Sequence, residues 1–73
     1  QKKMTPAQHK VLQIIQNYIN ENGYSPTLEE IGKENGTTKQ NVSRLVQKLQ
    51  DEGRIFVQRG KTRGITVTGL IHL

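Results

Sequence analysis

Seventy-three residues with a net charge of +5, two histidines and no cysteine describe one small domain, in which only about 60% of the unfolded chain's surface would be buried. The lack of cysteine excludes disulfides and thiolate zinc sites, and His9 and His72 stand far apart with no ligand-like spacing to carboxylates, so no metal or other cofactor is expected. No apolar run approaches the roughly 18 residues that span a bilayer, and no apolar segment follows Lys2 and Lys3 as a signal peptide requires; the chain reads as cytoplasmic, without membrane association.

The charge is unevenly divided. Between residues 1 and 36, Lys2, Lys3, Lys10 and Lys33 balance Glu21, Glu29, Glu30 and Glu34. From Thr37 onward Lys39, Arg44, Lys48, Arg54, Arg59, Lys61 and Arg63 meet only Asp51 and Glu52, so the whole excess lies in the second half. A polyanionic partner follows from this, because cations that neutralise phosphates release condensed counterions. A generic solvated basic surface is the plain alternative.

Residues 1–4 are polar and expected to be mobile, with Met4 a plausible native start. Thr5-Pro6-Ala7-Gln8 is a helix start: Thr caps, Pro suits the first helical position and Gln completes a capping box. Ala7, Val11, Ile14, Ile15 and Tyr18, with Leu12 and Ile19 beside them, form a broad apolar stripe facing a core, and Asn22-Gly23 ends the helix. Tyr24-Ser25-Pro26 is an extended connector, since a residue before Pro is pushed out of the helical region. A second capping box, Thr27-Leu28-Glu29-Glu30, opens a short helix that carries Leu28 and Ile31 inward and ends near Asn35-Gly36. Glu29 and Glu30 suit the positive end of that helix and are read as dipole partners rather than a catalytic carboxylate pair.

Gly36-Thr37-Thr38 makes a turn, and Thr38 caps a third helix that Gly53 closes. Val42, Leu45, Val46 and Leu49 give this helix its core face, while Gln40, Ser43, Arg44 and Gln47 share the opposite face. Beyond Gly53 the period changes from helical to alternating. Ile55 and Val57 face inward against Phe56 and Gln58, then Arg59-Gly60-Lys61-Thr62-Arg63-Gly64 forms a basic turn, and Ile65 and Val67 alternate with Thr66 and Thr68. This predicts a β-hairpin with three positive charges at its tip. Phe56 then points away from the helices, either alone or against Leu70, Ile71 or Leu73. The apolar end, residues 69–73, is too apolar for a disordered tail; folding back, joining a partner subunit and leading into further chain all fit it.

Three helices followed by a basic hairpin is the order of a winged helix-turn-helix, mainly α with a small β-hairpin, spanning residues 1–73 as a single domain. At this point the residues also resemble a known family. Met4-Thr5-Pro6-Ala7-Gln8 is similar to the opening of the N-terminal DNA-binding domain of LexA repressors. Gly23-Tyr24-Ser25-Pro26-Thr27, Glu30-Ile31-Gly32 and Gly36 resemble its second-helix region, and Arg63-Gly64-Ile65 resembles its wing. The similarity runs from Met4 to Val67. It implies a sequence-specific bacterial or phage transcriptional repressor, of the kind that governs the SOS response, using helix 38–52 in the major groove and wing 58–64 on the backbone or minor groove. It also implies that Thr38, Lys39, Gln40, Asn41, Ser43 and Arg44 fall where such domains touch operator DNA. The interval from Gly36 to Gly53 is one residue shorter than is usual in that family, and Asn35 and Thr37 are polar where the general motif has apolar residues. Self-cleavage is not implied, because the resemblance covers only the DNA-binding part.

Read from their chemistry, Gln40, Asn41, Ser43, Arg44 and Gln47 are candidates for base readout, since Arg to guanine and Asn or Gln to adenine are geometrically favoured pairs, each worth about 1 to 3 kcal/mol of discrimination. Thr38, Lys39, Lys48, Arg59, Lys61 and Arg63 are candidates for the DNA backbone; Thr38 is also a cap and Lys48 could instead pair with Glu52. The expected partner is double-stranded DNA bearing a palindromic operator, bound by a possible homodimer with half-sites about 34 to 36 Å apart. A winged-helix protein-interaction module, such as an antirepressor or replication accessory protein, is the alternative. An enzyme is not expected: no nucleophile, base and orienting residue fall together, and no Gly-Lys-Ser phosphate signature is present.

Overall fold

The computed structural model describes residues 4–68. Three helices, α1 (Pro6–Asn22), α2 (Leu28–Asn35) and α3 (Lys39–Asp51), precede two short strands, β1 (Ile55–Val57) and β2 (Ile65–Val67). This is the winged helix-turn-helix order, with α2 and α3 as the paired unit and the hairpin as the wing. Among the described residues no helix is long and apolar enough to cross a membrane.

Local chemistry sets where each helix begins and ends. The Thr5 and Thr27 side chains accept from the amides of Gln8 and Glu30, and the Gln8 and Glu30 side chains accept in return from the amides of Thr5 and Thr27. Each capping box thus satisfies two amides that have no partner within the helix. Thr38 caps α3 alone, accepting from the Asn41 amide at 3.1 Å. At the other ends, Gly23 and Gly36 adopt φ of 82° and 73°, left-handed geometry that is inexpensive only without a Cβ.

The core is a single cluster drawn from every element: Val11 and Ile15 of α1, Ile31 of α2, Val42, Val46 and Leu49 of α3, and Ile55, Ile65 and Val67 of the strands. Burial of a side chain of this size contributes about 1.5 to 3 kcal/mol. Two expectations change at the amino-terminal end. Met4, expected in a mobile lead, packs against the core, whereas Ala7, expected to face inward, is exposed. The capping box explains the second: with Gln8 held under Thr5 and 2% exposed, the inward position of the first turn is taken, and its neighbour Ala7 is rotated outward. Residues 1–3 and the apolar end 69–73, with His72 and the proposed partners of Phe56, lie outside the described residues.

Between α2 and α3 the chain turns sharply because Gly32 lets it. A Cβ on this buried helical residue would stand 2.9 Å from the Thr37 carbonyl oxygen. The Thr37 amide closes the turn by donating to the Gly32 carbonyl at 2.9 Å. The wing is antiparallel, with Ile55 opposite Val67, Phe56 opposite Thr66 and Val57 opposite Ile65. Alternation places Ile55, Ile65 and Val67 in the core and leaves Phe56 58% exposed. A lone hairpin this short is marginal in water, so its placement depends on what it touches.

Candidate nucleic-acid interface

On α3 the core residues Val42, Val46 and Leu49 occupy one side, so helical spacing fixes what the other side offers. Gln40, Ser43, Arg44 and Gln47 are all exposed there. Among the described residues Gln40, Ser43 and Arg44 enter no side-chain hydrogen bond, leaving their donors and acceptors free. Gln47 donates to Asp51 Oδ1 at 3.1 Å, one turn on, and keeps its amide oxygen as an acceptor. Asn41 lies on the flank of the helix, where its amide nitrogen donates to Thr37 Oγ1 at 3.0 Å. That contact couples Asn41 to the turn before α3, a role that its residue type alone did not reveal.

Between α3 and the wing lies an open groove of about 460 Å³, with the start of α2 forming part of its wall. Lys39 from the first turn of α3 and Arg59 and Lys61 from the wing border it, together with Ser43 and Gln47 of the outer face of α3. Three cations from two separate elements therefore meet across one concavity. Glu29, on the α2 side, is the acidic member of the lining. Lys48 is exposed on the opposite flank of α3, and the alternative pairing with Glu52 does not form: the ion pair present among the described residues joins Arg63 to Glu30.

Arg63 corrects the picture of a wing tip with three outward charges. Its guanidinium turns back over the helices and grips Glu30 with two parallel bonds, Nη1 to Oε1 at 2.8 Å and Nη2 to Oε2 at 2.9 Å. Nη1 also donates to the Ser25 carbonyl at 3.0 Å and to the Tyr18 hydroxyl at 3.3 Å. The planar group lies 4.8 Å from the centre of the Tyr24 ring and 5.9 Å from that of Tyr18, and the two rings meet edge to face. Paired with Arg63 and accepting from the Thr27 amide, the Glu30 carboxyl is held down to about 2 from the ordinary 4.5, while the pairing raises Arg63 further above its already high value. Arg59 and Lys61 remain exposed, so the tip carries two outward cations.

The reading of residue types also passed over Ser25 and Gln50. Ser25 is 5% exposed, and its Oγ accepts from the Ile65 amide at 3.2 Å. Gln50, near the end of α3, accepts from the Val57 amide at 2.8 Å. One residue therefore ties β2 to the connector and the other ties β1 to α3. Arg63 lies in the turn before β2, and its partners at 18, 25 and 30 are too distant in the chain for a local pattern to mark it.

The arrangement has relatives. Residues 1–64 match the family model described as the LexA DNA binding domain. The chain belongs to that family. It is 38% identical over 66 residues to the LexA repressor of Thermosipho melanesiensis, an alignment covering 90% of this chain and 33% of the relative. The LexA repressor of Geotalea uraniireducens is 38% identical over 72 residues, covering 94% of this chain and 35% of the relative. That of Oleidesulfovibrio alaskensis is 34% identical over 65 residues, covering 89% and 31%. The chain thus spans about a third of the length of these curated relatives.

Proposed function

We propose that this domain binds double-stranded DNA in a sequence-dependent way and serves a bacterial or phage LexA-like transcriptional repressor inside the cell. The observation that carries the reading is the outward face of α3, where Gln40, Ser43 and Arg44 keep their hydrogen-bonding capacity unspent beside a groove bordered by Lys39, Arg59 and Lys61. Side chains of this type match base edges in a major groove, and cations on either side of a groove match the phosphates that border it. The family relationship supports the same assignment, since the relatives are named as repressors.

Within that reading, Gln40, Ser43 and Arg44 carry most of the base recognition, with Gln47 and Asn41 adding the acceptors that their internal bonds leave open. Lys39, Lys48, Arg59 and Lys61 hold phosphates, and Thr38 presents the start of α3 to the backbone. One helix reads only a few base pairs, so a palindromic operator bound by two copies, with half-sites about 34 to 36 Å apart, supplies the needed specificity.

Two measurements test this. Four phosphate-binding cations give a slope of log affinity against log salt of about −3 to −4 per bound copy, and a flat response between low and physiological salt would remove the electrostatic mechanism. In a random-site selection Arg44→Ala should relax preference at one position of the recovered site, at a cost of about 1 to 3 kcal/mol, whereas Lys61→Ala should weaken all sequences and lower the salt slope by about 1. A reversal of those two outcomes would exchange the roles of helix and wing.

A further inference from the structure

Glu30 is an acidic residue in a domain whose partner is a polyanion, yet it holds the most elaborate side-chain network among the described residues. It belongs to α2, accepts from the Thr27 amide within the capping box, and receives both outer nitrogens of Arg63 from the wing. Two aromatic rings, Tyr18 of α1 and Tyr24 of the connector, pack around the same guanidinium. On the neighbouring strand residue the Ile65 amide is held by Ser25 Oγ. Gln50 holds the other strand of the wing from α3. The hairpin is thus fastened on both sides, to the connector and α2 through Arg63 and to the recognition helix through Gln50.

This fastening has a geometric consequence. Gly64 follows Arg63 directly, and a Cβ there would lie 2.9 Å from the Gln58 carbonyl oxygen and 3.1 Å from the Lys61 Cβ. The loop is therefore folded tightly on itself: the Gln58 amide donates to the Gly64 carbonyl at 2.9 Å and the Lys61 amide to the Gln58 carbonyl at 3.4 Å, so the position of Arg63 is passed to Arg59 and Lys61 through the loop backbone. A bidentate, stacked arginine fixes direction as well as distance, which a single lysine contact cannot do.

We propose that Glu30 and Arg63 are positioning residues for DNA binding: their ion pair sets the angle at which the wing presents Arg59 and Lys61 beside α3. Neither residue touches DNA in this arrangement. The proposal rests on the DNA-binding reading above and predicts an effect opposite in sign to simple electrostatics. Removing a carboxylate ordinarily improves phosphate binding, whereas Glu30→Gln should weaken it.

The test is a double-mutant cycle on the full chain, with binding to a selected operator measured against salt. Glu30→Gln retains the capping box, because Gln serves at that position as Glu does, while the charged partner of Arg63 is lost. Affinity should fall by a factor on the order of three to ten at about 0.3 to 0.1 M salt, where one phosphate contact contributes roughly the inverse 0.9 power of the molar salt concentration, and the salt slope should shrink by about 1. In a background carrying Arg59→Ala and Lys61→Ala the same substitution should no longer weaken binding, because the wing then has no outward cation to position. Arg63→Lys, which keeps the charge and gives up the paired bonds, should reproduce the loss and its dependence on the wing, and it decides the matter if circular dichroism shows Glu30→Gln to be unfolded. Equal losses in both backgrounds would overturn the proposal, as would a gain in affinity from carboxylate removal or from a freed Arg63 reaching DNA. A failure of the unsubstituted chain to bind any selected DNA would instead overturn the DNA-binding reading, so the two failures are distinguishable.

Discussion

Two clusters of polar side chains lie on this small domain, and they are finished differently. On the outer face of α3, Gln40, Ser43 and Arg44 are exposed and unspent. Around the connector, Tyr18, Tyr24, Ser25, Glu30 and Arg63 are bonded or stacked to one another, so that a wing cation and an α2 carboxylate are consumed internally. Composition does not separate the two groups, since both contain a serine and an arginine. The difference lies in what surrounds them: α3 presents its polar side to solvent and to the open groove beside the wing, while the connector cluster fills the angle between α1, α2 and the wing. Cations in a basic hairpin are therefore not interchangeable, and a charge count overstates the surface available to a polyanion.

The two serines give the largest expected contrast. Ser25→Ala leaves the buried Ile65 amide without its acceptor, and an unmatched buried donor costs about 1 to 3 kcal/mol. Ser43→Ala removes an exposed hydroxyl that has no internal partner and should change stability by no more than about 0.5 kcal/mol. Urea unfolding of both variants checks this, and equal midpoints would erase the distinction between the clusters. In DNA selection the order should invert, with Ser43→Ala changing the preferred site and Ser25→Ala leaving it alone.

Thr38 sharpens the comparison because it stands at the border of the reading face and still has an internal bond. Its hydroxyl accepts from the Asn41 amide, and Thr38→Ala should cost about 1 kcal/mol, as loss of a helix cap does. The same change releases nothing in the connector cluster. A midpoint unchanged from the parent chain would show that the Asn41 amide finds another acceptor, and the cap would then drop out of the account.

How far each cluster could be read from the sequence follows from the separation of its partners. The capping boxes at Thr5 and Thr27, the Thr38 cap and the glycine ends depend on residues within four positions of each other, and all were legible. So was the outward face of α3, which needs only helical period and a core on the other side. The Arg63 network joins positions 18, 25, 30 and 63, and no local pattern announces such a contact. Gln50 is similar: half-buried at the end of α3, it looks like an ordinary solvated glutamine until the strand amide of Val57 is placed against it. Arg63 was misplaced for a further reason. Its neighbours Arg59 and Lys61 define an obviously basic loop, and composition alone groups it with them, although its guanidinium is bonded to Glu30 and the Ser25 carbonyl.

The smallest expected effect at neutral pH is also the most direct probe of the internal cluster. The Glu30 carboxyl is held near 2 in the folded chain by the Arg63 bonds and the Thr27 amide, below the ordinary 4.5 it regains on unfolding. Its contribution to stability is therefore complete above about 4.5 and is lost as the pH falls through about 2, because in that window the unfolded chain binds the proton first. The pair is partly solvated, with side-chain exposures of 37% and 36%, so the contribution is modest and falls with added salt. Melting temperatures of the parent chain and Glu30→Gln, measured in parallel, should converge as the pH is lowered from 4.5 to 2. The remaining carboxylates titrate in both proteins and cancel in the difference. Curves that stay parallel through that window would mean that Glu30 carries no pH-dependent share of the fold, and that the guanidinium is held in place by the tyrosines and the Ser25 carbonyl alone.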